Sequence, residues 1–121
     1  MSRDGRLWAI RLTKSAEADF REIVRWITRQ FGERQARAYS ETLSAAITDL
    51  SAGPAVIGAA ERKDIAKGIF TLHMARKGRK GRHFVMFRVR REREGELIEV
   101  LRILHDAMDL RRHLPSKDGE N

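Results

Sequence analysis

The stretch from His83 to Leu114, HFVMFRVRREREGELIEVLRILHDAMDLRRHL, leaves this chain few folds to choose from. Val85, Phe87 and Val89 alternate with Phe84, Met86 and Arg88. Beyond a charged turn, Ile98, Val100, Arg102 and Leu104 alternate with Leu97, Glu99, Leu101 and Ile103. A two-residue period is that of a strand, and here both alternating sets are mostly apolar. Both strands are therefore expected inside a sheet, covered on one face and partly on the other. A short helix from about Asp106 to Leu114 follows, with Met108, Leu110 and Leu114 as its apolar positions.

Upstream, Leu7 to Thr13 reads as a short edge strand with Trp8, Ile10 and Leu12 on one side. Ser15 is a good N-cap for a helix running to Phe31, with Glu17 and Asp19 in the first turn where the helix dipole favours acids. Ala16, Phe20, Ile23, Val24, Ile27 and Phe31 form its core stripe, and Gly32 supplies the C-terminal cap. A second helix spans Glu33 to about Ala52, with Ala36, Tyr39, Leu43, Ala46, Ile47 and Leu50 on one face. So short a connection predicts an antiparallel helical hairpin.

Gly53 and Pro54 end the pair, Ala55 to Ala60 reads as a loop, and Gly68 to Ala75 as a strand. Arg76 to Arg82, RKGRKGR, is a basic turn. The order β-α-α-β-β-β predicts an α+β fold, with the hairpin on one face of a four-stranded, mostly antiparallel sheet. The hairpin supplies the crossover from the first strand. Residues 1–115 form the expected domain, and 116–121 a disordered polar tail.

At 121 residues one core is expected, burying roughly two thirds of the chain's surface. There is no apolar run of membrane-spanning length and no apolar export signal near the N-terminus. The absence of cysteine excludes disulfides and thiolate metal sites and suits a reducing, cytoplasmic setting. No metal or other cofactor is expected. The formal charge is +8, and its placement is uneven: from Arg62 to His113, fifteen Lys and Arg stand against seven Asp and Glu, while the remainder balances. Such a field favours an anionic partner, though it also describes a merely solvated surface.

Taken with this order of elements, the strands GRHFVMFRV and IEVLRILH and the tail HDAMDLRRHLP resemble the RelE/ParE superfamily of type II toxin-antitoxin toxins, the ParE branch most of all. The resemblance runs from about Leu7 to Pro115. It implies a small toxin that arrests growth unless an antitoxin encoded beside it wraps around it. ParE-like members poison DNA gyrase; RelE-like members instead cut messenger RNA on the ribosome.

The two actions differ in what they ask of the residues. Metal-free RNA cleavage needs a base for the 2′-hydroxyl, an acid for the leaving oxygen and cations around the phosphorane. Arg82, Arg88, Arg90 and Arg102 supply cations, and His73, His83, His105 and His113 are the groups that titrate near neutrality. His105 ends the last strand, where related nucleases carry catalytic His or Tyr residues. Tyr39 falls on a core stripe. The chain departs from the nuclease pattern and continues past it, so no catalytic residue is expected; the nuclease alternative would rest on His105, Arg102, Arg88 and Arg82.

Arg102 is equally read as an ion-pair partner of a carboxylate such as Glu99, and Gly78 and Gly81 as phosphate-gripping amides or a solvated turn. Candidate target contacts are Met108, Arg111, Arg112, Arg79 and Arg82. An acidic, extended antitoxin would cover the sheet half, with Trp8, Leu72, Arg76 and Arg90 as candidate contacts on the uncovered face and a hetero-oligomer as the product.

Overall fold

In the computed structural model, residues 7–108 and 110 are described. Strand β1 (Ala9–Leu12) leads into helices α1 (Lys14–Phe31) and α2 (Glu33–Asp49), and a 3-10 turn (Leu50–Ala52) closes the hairpin. Then follow β2 (Ala60–Glu61), β3 (Phe70–His73), β4 (His83–Glu92) and β5 (Gly95–His105). The sheet order is β1-β5-β4-β3-β2, with β1 parallel to β5 and the other pairs antiparallel. This is the α+β arrangement expected, β1 at an edge and the helical pair serving as crossover. The sheet has five strands rather than four, because Ala60–Glu61, at the end of the segment read as a loop, pairs with β3. Two residues are too few to show a period.

Helix α1 is capped two residues earlier than its sequence suggests. Its cap is Thr13, not Ser15: the Thr13 hydroxyl accepts the Ala16 N–H at 3.0 Å and donates to the Leu101 carbonyl at 2.9 Å. One side chain thus starts the helix and ties it to β5. Gly32 alone joins α1 to α2 at φ 94°, a value that disfavours any residue with a Cβ. Asp19 is not a dipole-pairing acid of the first turn, a place taken by Glu17; it points to β5 instead.

Ala16, Leu43, Ala46 and Leu50 from the helices meet Leu72, Val85, Phe87, Ile98, Val100 and Ile103 from the sheet in the main core. On the other sheet face, Met86, Leu101 and Leu104 pack with Ile69 and Leu110, partly covered by Ile65 and Ala66. Both faces of β5 are therefore apolar because both are buried. The strict alternation read from the sequence breaks once: Met86 pairs with Arg102 but Phe87 with Val100, leaving Leu101 as an extra residue. This β-bulge switches the inward set from Ile98 and Val100 to Ile103, so Arg102 and Leu104 do not share their face.

Past the bulge β5 has lost β1 as a neighbour, and Asp19 takes over. Its carboxylate accepts the Ile103 N–H at 2.9 Å and two bonds from Arg102, Nε at 2.7 Å and Nη2 at 2.9 Å. The expected short helix after Asp106 lies largely, and the polar tail wholly, outside the described residues.

Leu43→Ala, at a fully buried position, is expected to cost about 2–5 kcal/mol in urea unfolding. Asp19→Ala strips a charged acceptor from Arg102 and from a strand-edge amide, and should cost about 2–4 kcal/mol. It should also accelerate hydrogen exchange at Ile103 specifically, whereas Leu43→Ala should weaken protection throughout the core.

Candidate functional site

Where α1 and α2 pass over the His83 and His105 ends of β4 and β5, they leave a cleft of about 780 Å³. Its walls are largely apolar, from Ile23, Trp26, Ile27 and Phe31, and its inner end is polar, from Tyr39, Arg82, His83 and His105. Antiparallel pairing sets His83 directly opposite His105, their rings edge to face at 5.3 Å. Tyr39 reaches them from α2. Its ring packs on the core as its helical position predicts, but its hydroxyl lies 2.6 Å from His83 Nδ1 and accepts the Arg82 N–H at 2.9 Å.

Tyr39 and His83 thus share one hydrogen bond through Nδ1, while the Tyr39 oxygen also accepts from the Arg82 amide. His105 Nδ1 accepts the Ala107 N–H at 3.1 Å. A neutral His105 ring accordingly carries its hydrogen on Nε2. Behind them, Asp106 accepts from Arg82 Nε at 3.0 Å and from His73 Nε2 at 2.9 Å. Arg82 first and His73 second hold the Asp106 carboxyl well below the usual carboxylate range. Burial pushes His83 down to about 4, and the charge of the neighbouring His105 adds to the drop. Burial also raises the Tyr39 hydroxyl.

The nuclease set proposed from sequence is not brought together. Arg102 is held by Asp19, and Arg88 by Glu99 at 2.9 Å. Arg102 thus has the carboxylate partner expected of it, Asp19 in place of Glu99, while Glu99, only 6% exposed, takes Arg88 and Arg90. Arg82 and His105 do meet, at the cleft. The signal missed in the sequence was Tyr39, whose place on an apolar stripe says nothing about where its hydroxyl ends.

Two of the four antitoxin candidates lose the reason they were chosen. Leu72 is fully buried in the main core, and Trp8 packs on that same core against Gly53 rather than on the far face. Arg76 is mostly enclosed, bound to Asp49 at 2.5 Å and to the Ile57 carbonyl. Arg90 remains half exposed beside Glu99 and Glu92. Of the target candidates, Arg79 also pairs with Asp49 at 3.2 Å, Arg82 is exposed at the cleft, and Met108 is exposed. Arg111, Arg112 and His113 lie outside the described residues. Gly81 is explained by packing: a Cβ there would meet Met74 Sδ at 2.3 Å. Among the described residues no group of three His, Cys, Asp or Glu could hold a metal, and no helix is long and apolar enough to cross a membrane.

The burial of neutral His83 gives a pH dependence with a definite sign. An unfolded chain protonates this imidazole near 6.5, the folded one only near 4, so acid favours unfolding. Stability should be intact above about pH 7 and fall by about 1–2 kcal/mol as the pH drops from about 6.5 towards 4, allowing for the ring's partial exposure. Asp106 acts in the same direction lower down, its stabilisation being lost as the pH falls below the ordinary carboxylate value. His83→Asn keeps an acceptor for Tyr39 and should flatten the loss between pH 6.5 and 4 in urea unfolding, leaving the lower loss in place.

Comparison with known proteins accords with this architecture. The family described as the ParE toxin of type II toxin-antitoxin systems matches residues 10–110. Toxin ParE of Escherichia coli is 36% identical over 106 residues, covering 88% of this chain and 92% of that protein. Among solved structures, a chain of the chromosomal ParDE system from P. aeruginosa superposes with a TM-score of 0.64 at 22% identity, covering 82% of this chain and 96% of that one. A chain of the RelBE2 toxin-antitoxin complex from Mycobacterium tuberculosis gives 0.51 at 20% identity, covering 82% and 98%. These two share the fold. With the family match spanning nearly every described residue, the chain belongs to the ParE toxin family of type II toxin-antitoxin systems.

Proposed function

We propose that this chain arrests growth by poisoning DNA gyrase in the cytoplasm, and that a cognate antitoxin holds it inactive in a hetero-oligomeric complex. The observation that carries the choice of target is the fate of the cations a nuclease would need. Arg102, Arg88 and Arg82 are each bound to a different carboxylate, Asp19, Glu99 and Asp106, at separate places on the sheet. Groups so tied and so dispersed do not converge on one phosphate, which a phosphorane-stabilising site requires. The action then rests on binding rather than on a reaction of the chain's own. Similarity to a ParE toxin over most of the chain supports the same side, and the complexes in which its structural neighbours were solved support an antitoxin partner.

One observation favours a second reading, an mRNA endoribonuclease acting on the ribosome: Tyr39, His83, His105 and Arg82 do meet, and between them hold a proton acceptor, donors and a cation. Purified gyrase decides between the two. Added toxin is expected to stop supercoiling of relaxed plasmid and to accumulate linear DNA once the gyrase is digested. Full supercoiling under a molar excess of toxin, with messages cut on translating ribosomes, would replace the first reading with the second.

A further inference from the structure

Ile57 is the most exposed large apolar side chain among the described residues, at 86%, yet the loop that carries it is firmly held. The Val56 N–H donates to the Gly53 carbonyl at 3.2 Å and the Ala59 N–H to the Val56 carbonyl at 3.0 Å. Val56 and Ala59 pack on the main core. The Ile57 carbonyl accepts from Arg76 Nη2, and Nη1 of the same guanidinium is bound to Asp49. Gly58, at φ 101°, lies so close to Leu72 and Arg76 that a Cβ would meet them at 3.3 and 3.4 Å. A singly exposed apolar residue is ordinary. What sets this one apart is an arginine side chain only 12% exposed that fixes its carbonyl and so keeps the isoleucine pointing outward.

Arg76 belongs to a cluster. Lys77 Nζ lies 3.5 Å from Asp49 Oδ1 and Arg79 Nη1 3.2 Å from Oδ2, so three cations share one carboxylate and the group stays positive. The turn is closed by the Arg79 N–H on the Arg76 carbonyl at 2.9 Å, with Lys77 at φ 55°, a backbone uncommon for a lysine. Ile57 is thus a fixed apolar knob and the basic turn a fixed cationic one, both anchored on Asp49.

Nucleic acid suits this surface poorly. An isoleucine has no flat ring on which a base could stack, and guanidinium groups bound to Asp49 cannot follow successive phosphates. A disordered chain that folds on binding lays its own side chains into concave surface, whereas a rigid convex knob needs a cavity already formed. The complement is a folded protein with an apolar pocket rimmed by carboxylates.

We infer that Ile57, flanked by Lys77 and Arg79, is an anchor by which the toxin engages the folded protein it attacks, entering an apolar pocket with an acidic rim. The inference rests on the gyrase reading above. To the target contacts expected from sequence, Arg79 among them, it adds a residue that the sequence presents only as part of a loop.

The test compares three measurements on the full-length toxin: supercoiling of relaxed plasmid by purified gyrase, calorimetric affinity for the product of the neighbouring gene, and thermal melting. Ile57→Asp and Ile57→Ser change a side chain that lies in solvent, so melts should stay near wild type and antitoxin affinity within about threefold. The toxin concentration for half-inhibition should rise about 30-fold or more. Arg76→Gln, which releases the loop but keeps the isoleucine, should raise it about 10-fold. Lys77→Gln should raise it about threefold and flatten its salt dependence. Arg91→Glu, at an exposed site on the β4–β5 hairpin, should inhibit within about threefold of wild type.

Ile57 variants that stop supercoiling at the wild-type concentration would overturn the inference and leave the gyrase reading standing. If those variants also escaped the antitoxin, the knob would belong to the antitoxin contact instead. A concentration-dependent dimer of the isolated toxin that Ile57→Asp abolishes would assign it to a second copy and overturn the inference as well. A wild-type toxin that leaves supercoiling untouched would remove the gyrase reading, and the inference with it.

Discussion

Strand β5 runs five residues beyond the strand that flanks it, and the way its bare edge is covered governs the molecule. β1 pairs with it only as far as Val100. From there the work passes to the start of α1: the Thr13 N–H bonds the Val100 carbonyl, the Thr13 hydroxyl bonds the Leu101 carbonyl, and Asp19 receives the Ile103 N–H. A helix with two polar side chains thus stands in for the missing strand, satisfying backbone groups that would be costly if buried bare. The bulge at Leu101 falls at this handover, where two residues on β5 oppose one on β4. Arg102 emerges beside it, and Asp19 binds it in the same gesture.

The consequence reaches the cleft. Asp19 precedes Ile23 and Trp26 by about one and two turns of α1, so these side chains rise from the same side of the helix. Ile103 precedes His105 by one full strand period, so the histidine shares its inward face. A carboxylate that fixes Asp19 to Ile103 therefore also fixes the aromatic wall relative to the histidine end. Gly32 sets the other wall, since it alone turns the chain from α1 into α2 and brings Tyr39 across to His83.

Most of the fold could be read from the chain because its long elements have strong periods and its connections are short. The helical pair, the edge position of β1 and the β4–β5 hairpin all follow from that. What could not be read has specific causes. A bulge adds one residue without altering the types around it, so the sequence LIEVLRILH gives no sign of where its inward set changes parity. Leu72 sits in a four-residue strand where it shares a face with Phe70, and period alone cannot say whether the helices cover that face or the opposite one. The Asp19–Arg102 bond joins residues 83 positions apart, beyond any local pattern. Of the cleft, His105 and Arg82 were legible as chemistry but not as neighbours, and Tyr39 was hidden by the correctness of its own core assignment.

The excess of positive charge also looks different once folded. In the basic turn Arg76, Lys77 and Arg79 gather on the single carboxylate of Asp49, and Arg88 and Arg90 share Glu99. Each acid is outnumbered, so every cluster keeps a net positive charge, yet the guanidinium groups within it are already oriented by an internal partner. A phosphate track needs cations able to turn toward successive phosphates, and these would have to exchange an existing bond to do so. What survives is the long-range field, which speeds the approach of an acidic protein without specifying its pose. Shape is a separate matter, and among the described residues depth and exposed aromatic surface come together in the cleft beside the helices.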